Sequence, residues 1–228
     1  MSAGDSNRVS GGGRPDARPG LPLGVVVGLA AEGRIARRLG RVAVGGGLPA
    51  GAAVAAERLV AAGVSGLLSF GLAGGLDPAL RPGDLVIPEA VLLDGIVWST
   101  DAALRGRFGA ATVGALLAGT QIVADASAKR ALFEATGAVA IDLESGAVAQ
   151  VARRHGLPFA VLRAVCDPAE RNLPPAALAA LNAAGAIGLS RVLAAVARRP
   201  GQIGELLRLA GDARLARRGL IKACSDRR

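Results

Sequence analysis

The sequence predicts a three-layer α/β/α sandwich whose central sheet is mixed but mainly parallel. Three observations lead there. Short β-branched apolar runs recur along the chain, separated by stretches with helical spacing that end on glycine. Several of the runs are apolar almost throughout rather than alternating, the pattern of strands covered on both faces. Half of the 228 residues (51%) are hydrophobic, enough for one substantial core and a single domain. Aromatic residues contribute only 2%, so this core is built from Ala, Val and Leu.

Residues 1–20, rich in Gly, Ser, Pro and Arg, read as a disordered tail. The domain is expected over residues 21–199, with a basic helical segment over 200–228. Leu23 to Leu29 has the pattern of a central strand. Ala30 to Arg34 reads as a turn into a helix holding Ile35 and Leu39. Arg41 to Gly45 is a short second strand, and Ala50 to Ala62 a helix stopped by Gly63. Ser65 to Phe70 is the strand that delivers a glycine-rich loop, Gly71 to Leu76. Arg81 to Asp84 forms a turn into a strand from Leu85 towards Leu93. Asp94 to Phe108 is polar and irregular, and Thr112 to Ala124 reads as two short strands. Ser127 to Thr136 is a helix closed by Gly137. Pro174-Pro175 opens a long helix to about Arg198, since proline suits a first helical turn.

The segment from Val139 to Pro174 organises the rest. Ala138 to Ile141 suits a buried strand, and Asp142 and Glu144 stand where acidic side chains face the positive end of a helix. Ala147, Val148, Val151 and Ala152 recur at helical spacing, and Gly156 closes that helix. Leu157 to Val165 is a second apolar strand, interrupted only by Arg163, and it runs out at Asp167-Pro168. In an open α/β sheet the ligand crevice lies beyond the carboxyl ends of strands, which carries Glu144 and Asp167 to one edge. A cation buried at Arg163 requires an anionic partner or ligand.

Composition and motifs exclude several functions. The net charge of +9 is concentrated in residues 198–228, which carry +6, so the domain itself is not a basic nucleic-acid binder. Few aromatics means little surface for stacking bases. Cys166 and Cys224 make no disulfide framework, no Cys/His spacing suggests a metal site, and no nucleotide-phosphate fingerprint is present. His155, beside Arg153 and Arg154 at a helix end, reads as a solvated cation rather than a catalyst.

Ile141-Asp142-Leu143-Glu144-Ser145 and Leu162-Arg163-Ala164-Val165-Cys166-Asp167 resemble the paired signature of the nucleoside phosphorylase and nucleosidase superfamily. Phe70 to Leu76 and Arg81 to Val86 resemble its glycine-rich loop and the strand after it. The resemblance covers roughly residues 23–193, and the nearest subgroup is the hopanoid-associated phosphorylases, thought to remove adenine from adenosylhopane.

The resemblance implies cleavage of the N-glycosidic bond of an adenine nucleoside derivative. Inorganic phosphate would be co-substrate, with no other cofactor and no metal. Hydrolysis of methylthioadenosine or S-adenosylhomocysteine, and non-catalytic nucleoside binding, are the alternatives. It also implies a cytoplasmic homo-oligomer. The basic C-terminal segment, with Ile203, Leu206, Leu207 and Ala210 on one helical face, adds a peripheral membrane contact.

Such a reaction builds positive charge on the sugar and negative charge on the leaving base, so few groups are needed. By resemblance, Glu144 holds the ribose hydroxyls, Asp167 protonates purine N7, and Arg163 lies beside the nucleophile. Asp142, Leu143, Val123, Gly74 and Gly75 would complete the substrate site. Gly28, Glu32, Arg34, Gly71, Leu72 and Ala73 would surround phosphate. Leu72 stands where the family often has Ser or Cys, Leu143 replaces a Met, and Cys166 replaces a Ser. Glu32 falls within one residue of the Glu that orients water in the nucleosidases.

Overall fold

The computed structural model describes residues 20–110, 112–175, 177, 201 and 203–225. The tail expected before Gly20 and nearly all of the helix expected from Pro174 to Arg198 lie outside the described residues. One sheet holds β1 (Gly24–Val27), β2 (Arg41–Val44), β3 (Leu67–Gly75), β4 (Leu85–Val86) and β5 (Pro88–Leu93). It continues with β6 (Ile96–Ser99), β7 (Thr112–Ala118), β8 (Ala138–Asp142) and β9 (Phe159–Asp167). The helices are α1 (Ala30–Ala36), α2 (Pro49–Ala61), α3 (Ala102–Gly106), α4 (Ala126–Thr136), α5 (Ser145–Arg154) and α6 (Ile203–Ser225).

Five of the eight strand pairs are parallel, which makes the sheet mixed and mainly parallel as predicted. The spatial order is β2-β1-β3-β8-β7-β5-β6, and β9 pairs with β3 and β4. Strand β3 is where the sheet branches. Its first part lies parallel to β1 and β9, and its last two residues pair antiparallel with β8. A register shift between Ala73 and Gly74 makes this possible, because a bulge bends the strand and increases its twist. Gly74 is then paired with Ile141 on one side and Asp167 on the other, which brings the end of β9 beside the end of β8.

Side chains on a strand alternate between faces, and the alternation sorts the core. Val26, Leu67, Val161 and Val165 pack with Ala52, Ala56, Val148 and Val151 of α2 and α5. Val25, Val27, Phe70, Leu162 and Ala164 pack with Ala36 of α1 and with Ala216 and Leu220 of α6. These are the three layers. Arg163 shares the parity of Val161 and Val165, so it projects towards the layer in which α5 begins.

Several local expectations change. The glycine-rich stretch Gly71 to Gly75 is not a loop but the second half of β3, paired through its backbone to β9. Glycine hides strand periodicity because it places nothing on either face. The expected turn Ala30–Arg34 is itself most of α1, and Leu39 lies beyond that helix. The single strand expected over Leu85–Leu93 is two: β4 pairs β9, while β5 begins at Pro88 and pairs β6 and β7. Asp94 to Phe108 is ordered as a hairpin strand and a short helix. Asp94 and Gly95 adopt φ of 51° and 74°, the left-handed pair that a tight hairpin turn demands, and Asp-Gly is its usual sequence. Asp101 caps α3 by accepting from Leu104 N at 2.7 Å. Thr112 to Ala124 contains one strand, β7, rather than two.

Helix α6 packs through Ala216, Leu220, Ala223 and Cys224, which are buried against the α1 side of the sheet. Of the four residues expected on one helical face, Ile203, Leu207 and Ala210 are exposed, and Leu206 is half-buried. No helix among the described residues is long and apolar enough to cross a membrane.

Candidate active site

The site is built around Arg163, which is 2% exposed in the middle of β9. A guanidinium there has lost its water and must find anions nearby. It finds them at the junction of β8 and α5. Its Nη2 lies 2.5 Å from Asp142 Oδ2 and 3.2 Å from Glu144 Oε2. Nη1 also donates to Glu144 Oε2 at 3.2 Å, and Nη2 donates to Ser69 Oγ of β3 at 2.7 Å. Asp142 does the helix capping expected of the acidic pair: its Oδ1 accepts from Ser145 N at 3.1 Å. Glu144 holds the N-cap position of α5 without capping it, and its carboxylate turns to Arg163 instead.

A third carboxylate joins from the first βα junction. Glu32, 3% exposed, accepts from Leu29 N at 2.8 Å and from Leu72 N at 3.1 Å. The first bond closes the entry of α1 and the second reaches β3, so its structural place and its membership of the site are compatible. Gly71 makes the junction possible. A Cβ there would lie 2.6 Å from Arg163 Nη1 and 2.8 Å from Glu32 Oε1, closer than real contacts allow. Gly28 serves the same end, because a Cβ there would lie 3.0 Å from Glu144 Oε2.

Asp167 ends β9 and is held by a residue that sequence reasoning missed. Lys129 of α4, wholly buried, places Nζ 2.6 Å from Asp167 Oδ2. The same ammonium donates to Pro168 O at 3.0 Å and Arg171 O at 2.9 Å. In the sequence Lys129 is one cation in a helix with polar neighbours, and only the fold of α4 over the Asp167 segment buries it.

Burial pushes the carboxyls of Glu144, Glu32 and Asp167 up. Glu144 reaches about 6, raised by desolvation, with Arg163 opposing and Asp142 adding repulsion. Glu32 and Asp167 are raised by the same desolvation, opposed chiefly by Arg163 and Lys129 respectively. Burial alone would weaken the protonated form of Arg163, but Asp142, Glu144 and Glu32 more than compensate. Burial lifts the Cys166 thiol to about 12, so it stays protonated.

Three buried polar atoms in this region have no hydrogen-bond partner among the described residues: Glu144 Oε1, Arg163 Nε and Asp167 Oδ1. They belong to the three residues singled out in the sequence as catalytic. Of the others, Asp142, Glu32, Gly28, Gly71 and Leu72 lie against this cluster, and Ala73 is buried in β3 beside it. Gly74 lies against Asp167 and Ile141, and Gly75 against the Asp167 backbone. Leu143 is half-buried between Asp142 and Glu144, and Val123 packs against the small cluster of Leu76, Ala138 and Ile141. Arg34 is not brought in: it is exposed on α1 and is not among the partners of Arg163. His155 is part of an exposed contact with Glu57, at 2.8 Å. A cavity of about 360 Å³ lined by Trp98, Arg153 and Phe159 lies at the other end of β9 and shares no residue with the cluster.

The phosphorylase superfamily model matches residues 23–108 and 94–198. The 5'-methylthioadenosine/S-adenosylhomocysteine nucleosidase of Marinomonas sp. (strain MWYL1) is 30% identical over 137 residues, spanning 47% of this chain and 58% of that protein. Among solved structures, the nucleosidase of the same name from Helicobacter pylori, bound to butyl-thio-DADMe-Immucillin-A, superposes with a TM-score of 0.62 at 18% identity. That match covers 90% of this chain and 98% of the other. The Neisseria meningitidis nucleosidase in complex with methylthio-immucillin-A gives 0.63 at 17% identity, covering 89% and 97%. Futalosine hydrolase of Helicobacter pylori gives 0.58 at 19% identity, covering 64% and 88%. At these identities the structural likeness speaks for the fold alone, whereas the family model spans most of the sequence, including β8, α5 and β9. The chain belongs to the phosphorylase superfamily.

Proposed function

We propose that this chain cleaves the N-glycosidic bond of an adenine nucleoside derivative. The observation that carries the reading is the set of unpartnered buried atoms on Glu144, Arg163 and Asp167. A carboxylate oxygen, a guanidinium N–H and a carboxyl oxygen are what ribose hydroxyls, a nucleophile's oxygen and purine N7 require. Glu144 orients the ribose, Asp167 delivers a proton to the departing base, and Arg163 with Glu32 positions the nucleophile.

The charge balance favours water over phosphate as that nucleophile. Among the described residues Arg163 is the one cation facing Asp142, Glu144 and Glu32, and Arg34 is exposed elsewhere. A phosphate dianion would meet these carboxylates in a desolvated site, where repulsion is least screened. Leu72 offers no hydroxyl to offset it. The phosphorolytic course keeps the support of the hopanoid-associated resemblance, which also proposes a bulky apolar 5′ substituent on the substrate. Adenine release from adenosine derivatives with 5′ groups of increasing size, with and without phosphate, separates these. Release without phosphate, yielding free sugar, is expected. A strict phosphate requirement with a sugar 1-phosphate product overturns the hydrolytic course. No release from any derivative overturns cleavage and leaves a nucleoside-binding protein.

Nucleoside binding should also follow the Glu144 carboxyl. An ionised Glu144 accepts from ribose hydroxyls, so affinity should weaken as pH falls through about 6, and Glu144→Gln should flatten that limb. The linked stability runs the other way. A folded carboxyl raised from 4.5 to about 6 contributes stability below 4.5, and this contribution is lost as pH rises through about 6. Calorimetric titration across this range checks both signs.

A further inference from the structure

Helix α6 is 23 residues long, about 34 Å at 1.5 Å per residue. Its inner face is accounted for by Ala216, Leu220, Ala223 and Cys224, all buried on the sheet. Its outer face is not. Ile203, Leu207, Leu215 and Ile221 are 47%, 68%, 47% and 49% exposed, large apolar side chains that water solvates poorly. Interleaved with them are Arg208, Arg214, Arg218 and Lys222, all exposed and without ion pairs among the described residues. At 100° per residue these eight positions fall within an arc of about 140°. The two carboxylates of the described helix lie off this arc, and one of them, Asp212, is paired with Arg171.

We propose that this face of α6 docks on an anionic lipid bilayer, lying in the interface without spanning it. The chemistry of the face selects that partner. Apolar side chains interleaved with cations along one face of a long helix need an apolar medium and anions at nearly one depth. A bilayer interface of acidic headgroups over acyl chains offers both. A nucleic acid backbone satisfies the four cations and leaves the four apolar side chains in water. A second copy of the face would set four cations against four cations. The docked helix would also sit close to the candidate site: Asp212 pairs with Arg171, whose carbonyl accepts from Lys129, the partner of Asp167.

The test uses the full chain and sedimentation with vesicles, one set of phosphatidylcholine alone and one with an equal part of phosphatidylglycerol. Binding to the mixed vesicles only is expected, weakening as salt shortens the screening length. Replacing Arg214, Arg218 and Lys222 together by Gln should lower vesicle affinity by about 100-fold, and Leu207→Asp by about tenfold. All four positions are exposed, so circular dichroism and thermal midpoint should match the parent chain. Absence of vesicle binding at low salt overturns the proposal, as does binding that survives both variants. Loss of an oligomer in the variants, with vesicle binding unaltered, overturns it in favour of a second copy. Retention of duplex DNA, without vesicles, overturns it in favour of nucleic acid.

Discussion

Asp167→Asn will lower turnover on an adenine nucleoside by about 10²-fold or more while the nucleoside still binds. The amide keeps the shape and the capacity to accept a hydrogen bond but carries no acid proton for the leaving base. Burial already pushes the Asp167 carboxyl up, the direction a proton donor needs, and Lys129 opposes that push. The ion pair through Oδ2 fixes one oxygen, and Oδ1, without a partner among the described residues, is the one that faces the base in the proposed reaction. The substitution has a second effect, because it leaves the buried Lys129 ammonium without its carboxylate, and an uncompensated buried charge is costly. Pairing it with Lys129→Met separates the two. The double variant should regain stability and stay inactive. Near-normal adenine release by Asp167→Asn would remove the acid role, whatever its stability.

The largest stability loss should come from Arg163→Met, about 3–5 kcal/mol at neutral pH. Methionine fills much of the same space, so the cost is electrostatic rather than a cavity. Asp142 and Glu144, both nearly fully buried, would lose the cation that each of them contacts, and Glu32 its nearest compensating charge. The remaining carboxylates can escape by taking protons, so the folded variant binds more protons than its unfolded chain. Its deficit against the parent should therefore shrink as pH falls towards 5 and grow as it rises towards 8. Denaturant unfolding at the two pH values reads this directly. A deficit below about 1 kcal/mol, the scale of a surface pair, would show that Arg163 does not hold the cluster together.

Much of this was legible because the informative signals are local. The β8–α5–β9 segment announces itself by apolar runs, an acidic helix start and a glycine stop, all within thirty-odd residues. The one arginine in β9 demanded anions, and the nearest candidates in sequence, Asp142 and Glu144, are the ones it meets. At Asp94-Gly95 two local signals compete: the pair itself marks a hairpin, while the polar composition around it suggests irregular chain. Gly71 to Gly75 is the reverse case, a run whose composition says loop and whose hydrogen bonds say strand.

By itself, then, the sequence determined the layers, most of the element order, the placement of Glu144 and Asp167 at one sheet edge, and the burial of Arg163 inside the strand that ends there. Periodicity and chain punctuation act over a few residues, and they constrain elements before any of them meet. Only the tertiary structure decided that Glu32 joins Arg163 while Arg34 stays in solvent, and that Lys129 is buried against Asp167. Those outcomes depend on the branch at β3, where a bulge at Ala73 and Gly74 brings strands far apart in sequence to one point. A desolvated charge takes the partner that geometry leaves within reach, and that geometry is a property of the assembled sheet rather than of any stretch of chain.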